Sequence, residues 1–363
     1  MVVLVVLPDS GTGAIQIAPI YPQTRSPIPL QLCPSDEANS KYQLASALNT
    51  AGECYCEVSL DGRKQIDLVW IDYEGSTDSS RIVGIEIKTA SEFNQAKHKL
   101  ESQVEEYHSL TVGDLTNATA VAGDSIMRAD ETYVFDEVWV VAVGDQDRWD
   151  LSWREDTPED GWLNYNPVTG RLTYEIDATP DRDAIPFDFE QRATEAQYTA
   201  LLWNRYKSSS EALVAAESWF SKPRDRLLKD GDLKYRKGKG QGGKTKQADL
   251  VVSKNSEVDP LRDDSTIRGV EVKSSFNTNT RNRLNDQLPL YRDSGLFSEV
   301  YLAVKDDDRQ AATSFLKTNY PQVGLLAMDL VNQEVSLIRQ AKPLELKKIP
   351  VGRCLGSNVE FQL

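Results

Sequence analysis

Apolar and polar positions repeat in the same order twice along the chain. Ile66 to Ile71 and Ile82 to Ile87 are β-rich runs separated by a polar Gly/Ser/Asp turn, which predicts a hairpin. Alternation along the second run puts Glu86 and Lys88 on one face and Ile85 and Ile87 on the other. Glu92 to Leu110 has helical spacing and no strong breaker, which predicts a helix with Gln103 and Tyr107 one turn apart on one face. Val138 to Val143 is continuously apolar, as a strand covered on both faces would be. Further on, a second hairpin is followed by a helix from Thr280 to Asp293 and a buried strand from Val300 to Val304. Upstream of each set, Ser35-Asp-Glu37 and Ala193-Thr-Glu195 open amphipathic stretches of helical period.

The residues themselves repeat. Gln65-Ile-Asp67, Gly84-Ile-Glu86-Ile-Lys88, Gln103-Val-Glu-Glu-Tyr107 and Phe135-Asp-Glu-Val138 match Gln247-Ala-Asp249, Gly269-Val-Glu271-Val-Lys273, Gln287-Leu-Pro-Leu-Tyr291 and Phe297-Ser-Glu-Val300. Asp to Glu spans 19 and 22 residues, and Lys to Gln 15 and 14. Two ordered copies of four elements point to an internal duplication. The fold expected is α/β, with two tandem cores in which helices flank a mixed sheet. The boundaries expected are 1–34 for an N-terminal hairpin and Pro-rich connector, 35–180 for the first core and 181–363 for the second. Thr111 to Glu131 reads as a polar insertion, and Asp177 to Asp188 as the linker.

Charge refines this picture. The net charge of −15 argues against a surface that binds polyanions everywhere. Residues 1–180 hold 12 Lys and Arg against 30 Asp and Glu, whereas residues 181–363 hold 29 against 26. Lys222 to Lys246 concentrates ten Lys and Arg with only three Asp around a Gly-rich core. That stretch reads as a basic loop that grips a polyanion, with a solvated surface loop as the plainer alternative. No apolar run reaches the ~18 residues of a membrane span, and there is no basic segment ahead of Val2 to Leu7 to make a leader. Cys33, Cys54, Cys56 and Cys354 have neither disulfide-framework nor zinc spacing, so a cytoplasmic location is expected. The acidic balance, with 20 Lys among 363 residues, fits a halophile's cytoplasm and an acidic mesophilic protein equally well.

An Asp followed by Glu-x-Lys at the end of the next strand, in a helix–hairpin–helix–strand frame, resembles the PD-(D/E)xK nuclease superfamily, whose cores are restriction-endonuclease-like. Gln-x-x-x-Tyr on the next helix is similar to the added motif of its RecB-like branch. The motif's proline is absent: Ile66 precedes Asp67 and Ala248 precedes Asp249. The resemblance implies hydrolysis of DNA phosphodiester bonds with Mg²⁺, Mn²⁺ being an alternative ion. It implies metal ligation by Asp67 with Glu86 and by Asp249 with Glu271, with Glu37 and Glu195 as further ligands from the preceding helices. Lys88 and Lys273 would stabilise charge at the reacting phosphate. Gln103, Tyr107, Gln287 and Tyr291 would brace the sites and touch the backbone of the nucleic acid. Arg236, Lys237, Lys239 and Lys244 of the basic loop would contact phosphates ahead of Asp249.

Plainer readings stand beside these. One Glu-x-Lys is usually an exposed strand face, and one Gln-x-x-x-Tyr a solvated helix pair. Glu at a helix start also serves the macrodipole. His98 and His108 have no counterparts in the second copy and read as surface residues, and Trp149, Trp153 and Trp162 read as packing. Two classes of function remain: a nuclease, or a nucleic-acid-binding or assembly protein with one or both cores silent. Both Asp/Glu/Lys sets are intact, which favours catalysis. A small-molecule enzyme on an α/β frame has no support: there is no GxGxxG or P-loop after a strand, and Gly238 to Gly243 precedes a predicted strand rather than a helix.

Overall fold

The computed structural model describes residues 14–16, 36–60, 65–73, 81–89, 97–114, 133–144, 160–167, 170–176, 178, 194–207, 212–221, 245–254 and 266–344. The protein is α/β, with two tandem mixed-sheet cores flanked by helices. Its chain divides into two compact units, residues 1–24 with 40–197, and residues 25–39 with 198–363.

The first unit is built on β2 (Gly52–Ser59), β3 (Gln65–Asp72), β4 (Arg81–Thr89), β5 (Glu137–Val143), β6 (Gly161–Asn166) and β7 (Arg171–Ile176), with the three-residue β1 (Ala14–Gln16) on its edge. The strand order is β1-β7-β6-β5-β4-β3-β2. The β3–β4 hairpin is antiparallel as its alternation predicts, and β5 runs parallel to β4 with Glu86 beside Val140 and Lys88 beside Ala142. A parallel neighbour requires a crossover, which here contains α2 (Lys97–His108). Leu100, Val104 and Tyr107 of α2 recur at helical spacing and pack on Ile66, Val138, Val140 and Trp162 in one buried cluster.

The second unit repeats this with β8 (Ala212–Ser221), β9 (Thr245–Lys254), β10 (Thr266–Lys273), β11 (Glu299–Lys305), β12 (Gly324–Asp329) and β13 (Glu334–Arg339). Their order is β13-β12-β11-β10-β9-β8, and β10, β11 and β12 are mutually parallel. The crossover helix is α4 (Thr278–Ser294), which is capped by the Asn277 side chain on Thr280 N at 3.0 Å and ends at Gly295 with φ 70°. Pro289 removes one helical N–H, and the carbonyl left over, that of Asn285, lies 3.4 Å from the Tyr320 hydroxyl. Leu284, Leu288 and Tyr291 form the buried stripe of α4. A further helix, α5 (Arg309–Asn319), links β11 to β12 through another parallel crossover.

Helices α1 (Asp36–Leu48) and α3 (Glu195–Lys207) form where the two amphipathic stretches predict them. Of the expected N-terminal hairpin, only β1 lies among the described residues. The insertion is described up to Asp114, and the linker at Ala178 alone. Among the described residues no helix is long and apolar enough to cross a membrane.

Candidate functional site

Each unit gathers its Asp, Glu and Lys where the hairpin comes apart. Pairing between β3 and β4 ends at Leu68↔Ile85, and between β9 and β10 at Leu250↔Val270. One step further, the aspartate side chain takes the place of the strand's carbonyl. Asp67 Oδ2 accepts the Ile87 N–H at 2.8 Å, and Asp249 Oδ2 accepts the Val272 N–H at 2.6 Å. Each carboxylate is therefore fixed on the residue between Glu and Lys, and the splayed strand end keeps a satisfied donor.

The lysine turns back over this point. Lys88 Nζ lies 2.6 Å from Glu86 Oε1 and 3.8 Å from Asp67 Oδ2, and it donates to the Ile87 carbonyl at 2.9 Å. Lys273 Nζ lies 3.1 Å from Glu271 Oε1 and 3.9 Å from Asp249 Oδ2, and it donates to the Val272 carbonyl. The glutamates form the floor of each site and the aspartates its mouth: side-chain exposure is 5% and 0% for Glu86 and Glu271, against 17% and 24% for Asp67 and Asp249. Burial, followed by the charge of Asp67, pushes the Glu86 carboxyl up to about 7, although Lys88 pulls it down.

The tyrosine of the crossover helix closes each floor. Tyr291 OH donates to Glu271 Oε2 at 2.7 Å. Tyr107 OH donates to the Gln65 carbonyl at 3.0 Å and stands 3.4 Å from Glu86 Oε2. Burial first, and then the facing glutamate, raise both phenols above the usual tyrosine range. Gln103 hydrogen-bonds Tyr107, whereas Gln287 Oε1 is buried and has no hydrogen-bond partner among the described residues. The glycine two residues before each glutamate leaves room for the side chains packed over it, the Tyr291 ring among them in the second unit. A Cβ on Gly269 would stand 2.8 Å from Tyr291 Cδ1 and 2.9 Å from Phe297 Cδ1, and one on Gly84 would stand 2.8 Å from Ile66 Cδ1.

Of the other expected residues, several fall outside the described part of the chain. Among the described residues no three His, Cys, Asp or Glu side chains gather into a metal-holding group, so neither Glu37 nor Glu195 completes one. The division of the chain assigns Glu37 to the second unit and Glu195 to the first, whereas the sequence pairs each with the core that follows it. Arg236, Lys237, Lys239 and Lys244 lie outside the described residues, as do Cys33, Cys354, Trp149, Trp153 and the side chain of His98. His108 Nδ1 sits 3.4 Å from Asp160 Oδ1, and Trp162 is in the core of the first unit.

Two residues of each site carry no role in the sequence reading. Glu57 and Glu217 are two of the three non-glycine residues described with positive φ, at 50° and 47°. The Gln65 side chain donates to the Glu57 carbonyl at 3.0 Å and to its Oε2 at 3.1 Å, and Gln247 does the same to Glu217 at 3.2 and 3.0 Å. Both glutamines belong to the repeated motif, but Glu57 lies 10 residues before Asp67 and Glu217 lies 32 before Asp249, so strand pairing rather than spacing makes the glutamates equivalent.

Each site holds two carboxylates and one ammonium, an excess of one negative charge on hard oxygen donors. That donor set fits a divalent ion such as Mg²⁺ or Mn²⁺, which keeps several waters and shares its remaining positions with phosphate oxygens. No protein-family model matches the sequence, and neither does any curated protein.

Proposed function

We propose that the protein is a divalent-metal-dependent nuclease acting on DNA, with one hydrolytic centre in each unit. The observation that carries this reading is the duplicated Asp/Glu/Lys geometry: the same aspartate-to-amide bond, the same lysine bridge and the same buried glutamate occur twice. A structural ion pair has no need of two carboxylates against one lysine, and a buried uncompensated charge is costly. Retaining that excess in both copies is explained when a cation and a phosphodiester complete the site.

Asp67 with Glu86, and Asp249 with Glu271, would hold the ion, which when bound neutralises the scissile phosphate and activates water at neutral pH. The chain's own residues do the positioning. The Ile87 and Val272 amides fix one oxygen of each aspartate, so the ligands are placed before substrate arrives. Lys88 and Lys273 set a positive charge at the mouth of each carboxylate pair, where negative charge develops on the phosphoryl oxygens. Tyr291, and in the first unit Tyr107 with Gln103, hold the glutamate floor from behind.

DNA as partner and a cytoplasmic location are part of the same proposal. The basic stretch before Asp249 supplies cations for the phosphate backbone, and Cys54 and Cys56 are buried free thiols, as a reducing compartment would leave them. The test is to incubate linear, circular and single-stranded DNA with the protein in Mg²⁺, Mn²⁺ and EDTA. Cleavage of at least one substrate with either metal and none in EDTA is expected. Binding with no cleavage in any metal would instead establish a silent nucleic-acid-binding protein.

A further inference from the structure

The edge strand of each unit breaks its pairing opposite the site aspartate. β2 and β3 pair at Cys56↔Leu68 and again at Val58↔Ile66, skipping Glu57 and Asp67 between them. β8 and β9 pair at Ala216↔Leu250 and at Ser218↔Ala248, skipping Glu217 and Asp249. At both breaks the skipped glutamate has a left-handed φ, an uncommon conformation for any residue with a Cβ. At both breaks the carbonyl that the ladder leaves behind is taken by the side chain of the glutamine two residues before the aspartate. In the first unit Lys41 also pairs with Glu57, and the Gln65 carbonyl accepts the Tyr107 hydroxyl. A conformation with a steric cost that recurs across from the same residue in two divergent copies is a feature under constraint, and such features cluster at functional sites.

We propose that Glu57 and Glu217 are positioning residues, whose left-handed turns, each clasped by Gln65 or Gln247, release Asp67 and Asp249 from the edge ladder so that their carboxylates reach the Glu-x-Lys strand. An unbroken ladder would commit the aspartate's backbone on its β2 or β8 side to regular pairing. Skipping one pair frees the residue to shift while Cys56, Val58, Ala216 and Ser218 hold the strands in register. The glutamine supplies the hydrogen bond that the skipped pair loses, so the break leaves no orphaned carbonyl. The structural half of this inference is independent of chemistry. Its consequence for ion binding rests on the nuclease reading.

The sign of φ separates the variants. Glycine adopts positive φ freely, alanine resists it and a β-branched residue resists it most. The paired substitutions Glu57→Gly/Glu217→Gly, Glu57→Ala/Glu217→Ala and Glu57→Val/Glu217→Val are compared with wild type by amide hydrogen exchange at Ile87 and Val272 and by Mn²⁺ titration calorimetry. The glycine protein should keep both amides protected and its Mn²⁺ affinity within about threefold of wild type. The valine protein should exchange both amides faster and bind Mn²⁺ roughly tenfold more weakly, with alanine between them. Should valine prevent folding, the glycine–alanine comparison carries the test. Full protection and wild-type Mn²⁺ affinity in a folded valine or alanine protein would overturn the inference. So would a glycine protein as impaired as the alanine one. If the amides respond as expected while wild type neither binds Mn²⁺ nor cuts DNA, the positioning role stands and the nuclease reading falls.

Discussion

Removing the lysine from either site leaves two carboxylates facing each other, and the penalty depends on how deep the glutamate lies. Glu271 is fully buried and Lys273 nearly so, whereas Lys88 retains 19% exposure. Breaking a buried pair from one side costs about 3–5 kcal/mol, because the partner left behind is a buried charge. Lys273→Ala should therefore destabilise the protein by roughly 3 kcal/mol and Lys88→Ala by clearly less. Urea unfolding of the two single variants checks the order, and equal losses would mean that burial does not set the cost. Glu86 gives a second prediction at this scale. Its carboxyl is raised from 4.5 to about 7 in the folded, metal-free protein, so the folded state holds the proton more tightly than the unfolded chain. The stability from this group is complete below pH 4.5 and is lost as pH rises through about 7. Glu86→Gln should flatten that part of the metal-free stability profile, by up to about 1.4 kcal/mol per pH unit. Unchanged curvature between pH 5 and 8 would locate the proton elsewhere.

Elements differ in how openly they were written in the chain. The β3–β4 hairpin was legible because polar Glu86 and Lys88 alternate with Ile85 and Ile87, and α2 because Leu100, Val104 and Tyr107 recur at helical spacing. The strand β6 was not, since its buried run Gly161–Tyr165 is short and Asn164 interrupts the apolar Trp162, Leu163 and Tyr165. Helix α5 was left out of the sequence expectation even though Ala312, Phe315 and Leu316 recur at helical spacing and pack in the core of the second unit. The left-handed turns at Glu57 and Glu217 were illegible on physical grounds, because glutamate carries no preference for positive φ and the break exists only through β2–β3 and β8–β9 pairing. The repeated glycines have no reason in the sequence alone, because the side chains that crowd them come from other elements. Gly269→Ala brings a Cβ to 2.8 Å from Tyr291 and 2.9 Å from Phe297, two rings packed 5.3 Å apart in the core. It should cost about 1–3 kcal/mol and displace the Tyr291 hydroxyl from Glu271. Gly84→Ala meets a single methyl, Ile66 Cδ1, at 2.8 Å and the Phe135 ring only at 3.1 Å, and should cost less. Thermal melting of both variants tests the ranking, and a harmless Gly269→Ala would show that the ring has other room.

For the whole molecule, the two halves of the chain place the repeated Asp/Glu/Lys set in different electrostatic settings. Residues 1–180 hold 12 basic against 30 acidic side chains, and residues 181–363 hold 29 against 26, so the second core is the better placed to meet a phosphate backbone. Cations supply most non-specific affinity for nucleic acid by releasing condensed counterions. Neutralising Arg236, Lys237, Lys239 and Lys244 together should weaken DNA binding and make the log–log salt dependence shallower by up to ~0.9 per lost phosphate contact. Affinity and slope both unchanged would exclude these four residues from DNA binding.

The duplicated site itself is tested most directly by metal-dependent DNA cleavage with Asp67→Asn, Asp249→Asn and the double variant, since asparagine can still accept the Ile87 and Val272 amides but cannot supply the charge. Wild type should cut in Mg²⁺ or Mn²⁺, each single variant should lose the contribution of one centre, and the double variant should melt like wild type and leave DNA intact. A double variant that cuts at the wild-type rate would contradict the assignment of both sites.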